Sequence, residues 1–269
     1  MGFIFDHLVH FVEDPKVAIE ELKVQGIHAV EGGIHENRGT YNALSYFDLS
    51  YIEFLSTYDR ILVEQTEHLK YSLPETVVQD QFVEGFSRFA VRTTDIEGAA
   101  NRFREKGLNI NGPIPYSRKR PDGSLIEWQL LFVGDESDEL QLPFIIQWNE
   151  SDEERRNEQI EKNVIVPHPA GISFSHVTFA VEDGNHTVEK WSDFLDLKAG
   201  EVYIDKKLQA RCQRLELPGG NLEFCSPIGE GVVSEVLEKR GEKPFQVNFS
   251  DGIRDAKFNL LGGIYNIIK

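Results

Sequence analysis

The sequence predicts an α+β fold assembled from tandem βαβββ units, four in all, with the fourth truncated. Three observations carry this. The strand-like run Phe5-Asp6-His7-Leu8-Val9-His10-Phe11-Val12-Glu13-Asp14 is echoed by Phe174-Ser175-His176-Val177-Thr178-Phe179-Ala180-Val181-Glu182-Asp183. Downstream, Ile52-Glu53-Phe54 is echoed by Leu222-Glu223-Phe224, so that a His and a Glu recur 46 residues apart in one copy and 47 in the other. Between these markers, apolar strands end at an acidic residue that opens a helix. Asp14 to Gly26, Asp95 to Gly107 and Asp251 to Gly263 each span 12 positions, and Asp183 to Gly200 is a longer variant. A repeat of this size marks one supersecondary unit copied along the chain.

Each element has its own signal. In the first unit (about 5–55), Asp14-Pro15 is a helix entry, a capping side chain followed by Pro at the first helical position. In the second (about 86–148), Thr94-Asp95-Ile96-Glu97 has the spacing of a capping box, and Ile96, Ala99, Ala100 and Phe103 form an apolar stripe at helical period. Pro121-Asp122-Gly123 then predicts a tight turn ahead of the strand Glu127-Trp128-Gln129-Leu130-Leu131-Phe132. In the third (about 174–226), Val188, Trp191 and Leu195 make the helix stripe, and Pro218-Gly219-Gly220-Asn221 turns into the last strand. The fourth (about 244–269) is expected to keep strand, helix and strand. Residues 56–85 read as a connector with helical character. Glu150 to Lys162 reads as a solvated helix joining two halves, 1–150 and 165–269, and no function is assigned to it.

Composition narrows the function classes. Lys and Arg total 28 against 45 Asp and Glu, a formal net charge of −17. Such a surface repels nucleic acid and anionic membrane, so neither is an expected partner. No segment has the length or apolarity of a membrane span or of a signal peptide. Cys212 and Cys225 are the only cysteines and read as reduced thiols, which goes with a cytoplasmic location. Gly229-Glu230-Gly231 imitates a nucleotide loop, but the third position is Ser234 and no parallel βαβ surrounds it.

The His- and Glu-bearing βαβββ unit resembles the vicinal oxygen chelate superfamily, which includes glyoxalase I, extradiol dioxygenases and bleomycin-binding proteins. The run His35-Glu36-Asn37-Arg38-Gly39-Thr40-Tyr41-Asn42 leading to Tyr51-Ile52-Glu53-Phe54-Leu55 is similar to the glyoxalase-like domain branch. So are Arg120-Pro121-Asp122-Gly123 with Trp128, and Leu142-Pro143-Phe144-Ile145-Ile146-Gln147-Trp148. The resemblance covers nearly the whole chain. It implies cupped mixed sheets with helices on their convex faces, and a site in each cup built from the first and last strands of two units.

Strand alternation puts His7 and Glu53 on the concave face with Thr40, Asn42, Leu44 and Tyr46, and leaves Leu8, Val12, Ile52 and Phe54 for the helix side. In the third unit the same face carries His176, Thr178, Ala180, Asn221, Glu223 and Cys225. Counting seven residues back from each helix-opening Asp gives His7, Arg88, His176 and Pro244; the last strands offer Glu53, Gln147 and Glu223. Pairing of sequence neighbours would place His7, Glu53, Arg88 and Gln147 in one cup. Pairing of the first and third units would bring His7, Glu53, His176 and Glu223 onto one divalent ion, Zn, Ni, Mn or Fe. The second arrangement is favoured here because it leaves out the copies that lost ligands. His10 faces the helix side and is expected to be structural, and His28, His68, His168 and His186 belong to loop or surface contexts. A lone His–Glu pair is as well explained by a buried hydrogen bond as by a metal; duplication tips the balance toward the metal.

The expected function is a metal-dependent glyoxalase-like lyase or isomerase acting on a small oxygenated metabolite. In it Glu53 or Glu223 moves a proton next to a carbonyl, and Arg88, Asn42 and Gln147 contact the substrate. An extradiol-type dioxygenase and a non-catalytic binding protein of the same fold are the alternatives. A small molecule is the expected partner, and a homodimer is left open.

Overall fold

Alternation along the strands sets two faces, and the chain folds around them in a computed structural model that describes residues 2–35, 38–119, 125–135 and 140–269. The Pro121-Asp122-Gly123 turn, Arg120, Glu36 and Asn37 lie outside the described residues. The first unit comprises β1 (Ile4–Phe11), α1 (Pro15–Val24), β2 (Val30–His35), β3 (Thr40–Phe47) and β4 (Ser50–Thr57). The connector forms α2 (Arg60–Gln65) and α3 (Leu73–Gln79). Next come β5 (Gly85–Arg92), α4 (Ile96–Glu105), β6 (Asn109–Lys119), β7 (Leu125–Gly134) and β8 (Phe144–Trp148), then α5 (Asp152–Glu161). The third unit is β9 (Ser173–Ala180), α6 (Gly184–Leu195), β10 (Lys198–Ala199), β11 (Tyr203–Asp205), β12 (Ala210–Glu216) and β13 (Asn221–Pro227). α7 (Val232–Arg240), β14 (Lys243–Ser250), β15 (Ala256–Leu260) and β16 (Gly263–Ile267) complete the chain.

The helix entries form as their sequences dictate. The side chain of Asp14 accepts from the Lys16 amide, that of Asp95 from Gly98, and that of Asp183 from Asn185 and His186; each satisfies amides that no helical carbonyl can reach. Asp95, not Thr94, is the cap of α4. α6 stops at Asp196 in the left-handed region (φ 56°), short of Gly200. The helix expected between Asp251 and Gly263 is absent. Asp251 is itself left-handed (φ 63°), and from Ala256 exposure alternates, with Lys257 and Asn259 out and Leu260 in. That period of two is a strand's, and it outweighs the acidic-to-glycine spacing.

Two curled mixed sheets of eight strands result. The first runs β2-β3-β4-β1-β5-β8-β7-β6; the second runs β10-β12-β13-β9-β14-β16-β15, with β11 added on β12. In both, the first strands of two successive units are antiparallel neighbours (β1 with β5, β9 with β14), and each is flanked by its own unit's last strand in parallel. Units adjacent in sequence therefore share a sheet, and the favoured pairing of first and third units is overturned. Short connections bring successive elements together more readily than a detour across the chain does.

The helix-bearing faces of the two sheets meet in a continuous core. Phe5 lies 4.9 Å from Phe174 between ring centroids, and Phe89 contacts both Phe179 and Trp191. His10 crosses the same seam: with Nε2 donating to the Leu261 carbonyl, Nδ1 accepts from the Tyr265 hydroxyl, each at 2.8 Å. His168 ties the linker to the first sheet, its Nε2 donating to the Tyr46 carbonyl. Connecting helices enter the concave faces. Val63 of α2 and Val77 of α3 pack in the first cup, and Val233 of α7 packs in the second with Ala180, Cys212 and Cys225. The reduced-thiol reading is corrected: Cys212 and Cys225 form a disulfide, because the β12–β13 register sets them directly opposite each other. Among the described residues, no helix is long and apolar enough to cross a membrane.

Candidate functional site

The register of β1 on β4 and of β4 on β3 brings three strands' inward side chains to one spot. His7 pairs with Tyr51 along β4, and Leu44 stands opposite Glu53. His7 Nε2 faces Glu53 Oε2 at 3.7 Å. Both residues are buried at the protein level yet line a cavity of about 940 Å³ in the first cup.

Each of the two is held by a second group. His7 Nδ1 donates to Asp6 Oδ1 at 2.7 Å, which leaves the Nε2 lone pair for the cavity. Asp6 is fully buried and its other oxygen accepts from Trp148 Nε1 at 3.0 Å. Burial works to raise the Asp6 carboxyl, but the His7 hydrogen bond and the charges of Arg155 and Arg92 outweigh it and hold the group below the ordinary carboxylate value. Glu53 Oε1 accepts from Asn42 Nδ2 at 2.5 Å, and Asn42 Oδ1 accepts from the Gly33 amide at 2.8 Å. A Cβ at Gly32 would lie 2.0 Å from Asn42 Oδ1, so glycine there leaves room for the amide that orients Glu53.

The cavity wall is largely aromatic. The His7 ring stacks on Tyr51 (4.7 Å between centroids) and Tyr51 stacks on Tyr46 (4.6 Å), while Phe144 meets His7 edge-on. Trp128, Trp148, Phe132 and Tyr116 continue the wall. Burial pushes the Tyr46 hydroxyl up to about 12 and the Tyr51 hydroxyl well above its ordinary value, so both remain donors at neutral pH. Cationic side chains stand among these rings. Arg38 lies over the Tyr116 ring at 3.9 Å, Arg155 lies over Trp148 at 4.1 Å, and Arg118 reaches in beside Gly33. His35 also faces the cavity, and burial holds it below the ordinary imidazole value.

The other candidates lie elsewhere. His176 and Glu223 belong to β9 and β13 of the second sheet, so the four-residue set His7, Glu53, His176 and Glu223 is split between two cups. Among the described residues no three His, Cys, Asp or Glu side chains converge as a metal group would require. The second pair is enclosed in its own network. His176 Nε2 stands 3.1 Å from Arg214 Nη2, and Glu223 accepts from Arg214, Thr178 and Tyr203. Burial opposes ionisation of Glu223, yet the neighbouring His176, with the Tyr203 hydrogen bond and the Arg214 charge, brings it down to about 2. The Arg214 guanidinium takes the place where a cation would bind.

Arg88 is buried, but its guanidinium donates to the carbonyls of Tyr71 and Leu142 and does not line the His7 cavity; the bulged register sets Ala90 opposite His7. It fastens the connector to the sheet. Gln147 points away from the cup, its Oε1 accepting from the Ile96 amide at 2.7 Å, because Phe144, Ile146 and Trp148 take the inward positions of β8. Asn42 touches Glu53 and is a positioning residue. Sequence reasoning missed Asp6, Tyr51 and Arg155. Asp6 was legible as a carboxylate beside a strand histidine, whereas Arg155 sits in the charged run that looked solvated.

The donor set tests the expected metal. Among the described residues the first cup offers His7 Nε2 and Glu53 Oε2 as a converging pair, the nearby His35 is hydrogen-bonded through Nδ1 to Thr40, and the second unit's first- and last-strand positions facing the pair are Ala90, Phe144 and Ile146. Two protein donors fall short of the three or four that hold a catalytic zinc-like ion, so these residues do not fit a resident divalent metal.

Comparison with known proteins adds the fold's kinship. The chain aligns over 98% of its length with 98% of a hypothetical protein from Staphylococcus aureus, at 22% identity and a TM-score of 0.78. Over 93% of its length it aligns with 71% of a mutant 4-hydroxymandelate synthase from Streptomyces coelicolor, at 12% identity and a TM-score of 0.57. These likenesses are of fold. No curated protein matches the chain. The family model described as glyoxalase-like domain matches residues 5–195, the first sheet, the linker and the start of the second. With that match over more than half its length, the chain belongs to the glyoxalase-like domain family.

Proposed function

We propose that the protein is an enzyme of the lyase or isomerase type that moves a proton next to a carbonyl of a small oxygenated metabolite, with His7 and Glu53 as the proton-transfer pair. One observation carries the reading. His7 Nε2 and Glu53 Oε2 converge at 3.7 Å on the wall of an open aromatic cavity, and each is oriented from behind by a buried partner. A structural pair, satisfied within the protein, is what the second cup shows, where Arg214 and Tyr203 close over His176 and Glu223. Among the described residues the first pair has no such closure.

The mechanism follows from the geometry. Asp6 fixes the His7 tautomer with the proton on Nδ1, as a carboxylate does in an acid–base dyad, and stabilises the imidazolium formed when Nε2 takes a proton. Glu53, held by Asn42, is within reach of the same substrate atom and can remove or return a proton there. The developing oxyanion would be met by the Tyr46 or Tyr51 hydroxyl, both kept protonated by burial. No step needs a bound cation.

The test is exchange of the carbon-bound proton into D2O, followed by NMR over a set of 2-oxo acids, α-hydroxy ketones and α-aryl acids. At least one class should exchange, and His7→Gln and Glu53→Gln should each slow it by about 10²–10⁴-fold. Exchange in neither enzyme nor variants, or equal rates in all, would reject the reading. Elemental analysis of the purified protein should find well under one equivalent of transition metal.

A further inference from the structure

We propose that a small monovalent anion of the halide class binds at the joint between the two sheets, held by Ser87, Arg88 and Arg240 in a cavity of about 130 Å³ separate from the His7 cup. The register of β1 on β5 makes the place. Leu8 pairs with Phe89 and His10 with Phe86, so Ser87 and Arg88 stand together opposite Val9 as a bulge that breaks the alternation of β5. Arg240 arrives from the other half, at the end of α7, and its Nη2 donates to the Phe86 carbonyl at 3.0 Å. A Cβ at Gly85 would lie 2.3 Å from Arg240 Nη1, so glycine there leaves room for the guanidinium. Arg88 donates through Nη1 and Nη2 to the carbonyls of Tyr71 and Leu142, which leaves Nε over.

Ser87 Oγ, Arg88 Nε and Arg240 Nη1 are buried and have no hydrogen-bond partner, half of the six such side-chain atoms among the described residues. All three residues line the same small cavity, and Ser87 and Arg88 are 6% and 3% exposed. Neither guanidinium is ion-paired to a carboxylate among the described residues. Asp80, whose charge reaches Arg240, is bound to Lys243 at 2.7 Å, and Glu75, whose charge reaches Arg88, accepts from the Tyr71 amide. Burial works against both cations and brings Arg88 down to about 10, still protonated at neutral pH. Buried donors without acceptors are costly and call for a counterpart. Water could accept but would leave two cations uncompensated, whereas a halide accepts from several donors at once and supplies the counter-charge. A single charge is favoured because Glu242 also lines the cavity, where it accepts from the Glu182 amide. The volume suits an ion and falls short of a metabolite pocket. With Arg240 on the second half and Ser87 and Arg88 on the first, the ion would tie the two sheets together.

Thermal unfolding of the full chain at constant ionic strength tests this, with sodium chloride or bromide replacing sodium gluconate, whose anion is too large for the cavity. The wild-type melting temperature should rise and saturate, by about 3–5 °C once the halide exceeds its Kd tenfold. Ser87→Ala and Arg240→Gln should each weaken halide affinity by about tenfold or more, the range for a lost charge-assisted hydrogen bond. A response that never saturates, or one equally strong in both variants, overturns the site. Bromide-soaked wild-type crystals, measured at the bromine absorption edge, should show a peak beside Ser87 Oγ, Arg88 Nε and Arg240 Nη1. If Arg240→Gln does not fold, Ser87→Ala and the peak decide: weakened affinity with the peak present supports the assignment, and any other combination overturns it. A peak without the saturable rise would mean an adventitious ion only. Water or no density at that point also overturns the proposal.

Discussion

Protonating His10 should loosen the joint between the two sheets. Its ring is fully buried at the seam, bonded on both nitrogens to β16 and the Leu261 carbonyl, and packed against Phe54, Phe86 and Tyr265. Burial, aided by the nearby Arg240 charge and only partly offset by the Leu261 hydrogen bond, brings its pKa down from 6.5 to about 4. The unfolded chain therefore binds a proton near pH 6.5 that the folded chain refuses until about pH 4. Stability from this group is complete above about 6.5 and is lost as pH falls toward 4. At ~1.4 kcal/mol per pH unit, the gap corresponds to about 3 kcal/mol. His10→Gln keeps a donor and an acceptor but does not titrate. Urea unfolding of both proteins from pH 7.5 to 4, followed by tryptophan fluorescence, should show their stability difference shrinking by about 3 kcal/mol over that range. Common carboxylate effects cancel in the difference. Parallel curves would refute the argument that burial at this seam controls the imidazole.

Three further outcomes follow from the packing. Arg214→Ala should cost about 2–3 kcal/mol in urea unfolding, because Glu223 is left buried without its cation; the low end applies since Arg214 is half exposed, and a neutral result would show that Thr178 and Tyr203 suffice. Gly32→Ala places a Cβ 2.0 Å from Asn42 Oδ1 and should lower proton-exchange rates about tenfold by releasing Glu53, with the melting temperature little changed; full activity would mean Asn42 does not position Glu53. Trp191→Ala, at the contact between Phe89, Phe179 and Phe224, should destabilise by about 3–5 kcal/mol, measured by chemical denaturation, while a loss under 1 kcal/mol would show the seam can collapse around the gap.

By itself the sequence determined the repeating unit, the helix entries and the inward direction of His7 and Glu53. These are local consequences of capping chemistry and of side-chain alternation, and Asp14, Asp95 and Asp183 cap as their neighbours require. The last unit shows where local spacing misleads: Asp251 and Gly263 match the helix interval, but the alternating residues between them form β15. Only the tertiary structure decided which units share a sheet, and that choice separated His176 and Glu223 from His7 and Glu53. Register decided the rest. A bulge set Ala90 opposite His7, turned Arg88 to the connector, and the β8 alternation sent Gln147 to α4. Arg155 looked like one charge in a solvated run because burial of a helix face depends on what it lands on, and Asp6 and Trp148 come from strands more than a hundred residues apart in the chain. A residue's chemistry is written in its type, but its partners are set by long-range contacts that no local pattern encodes.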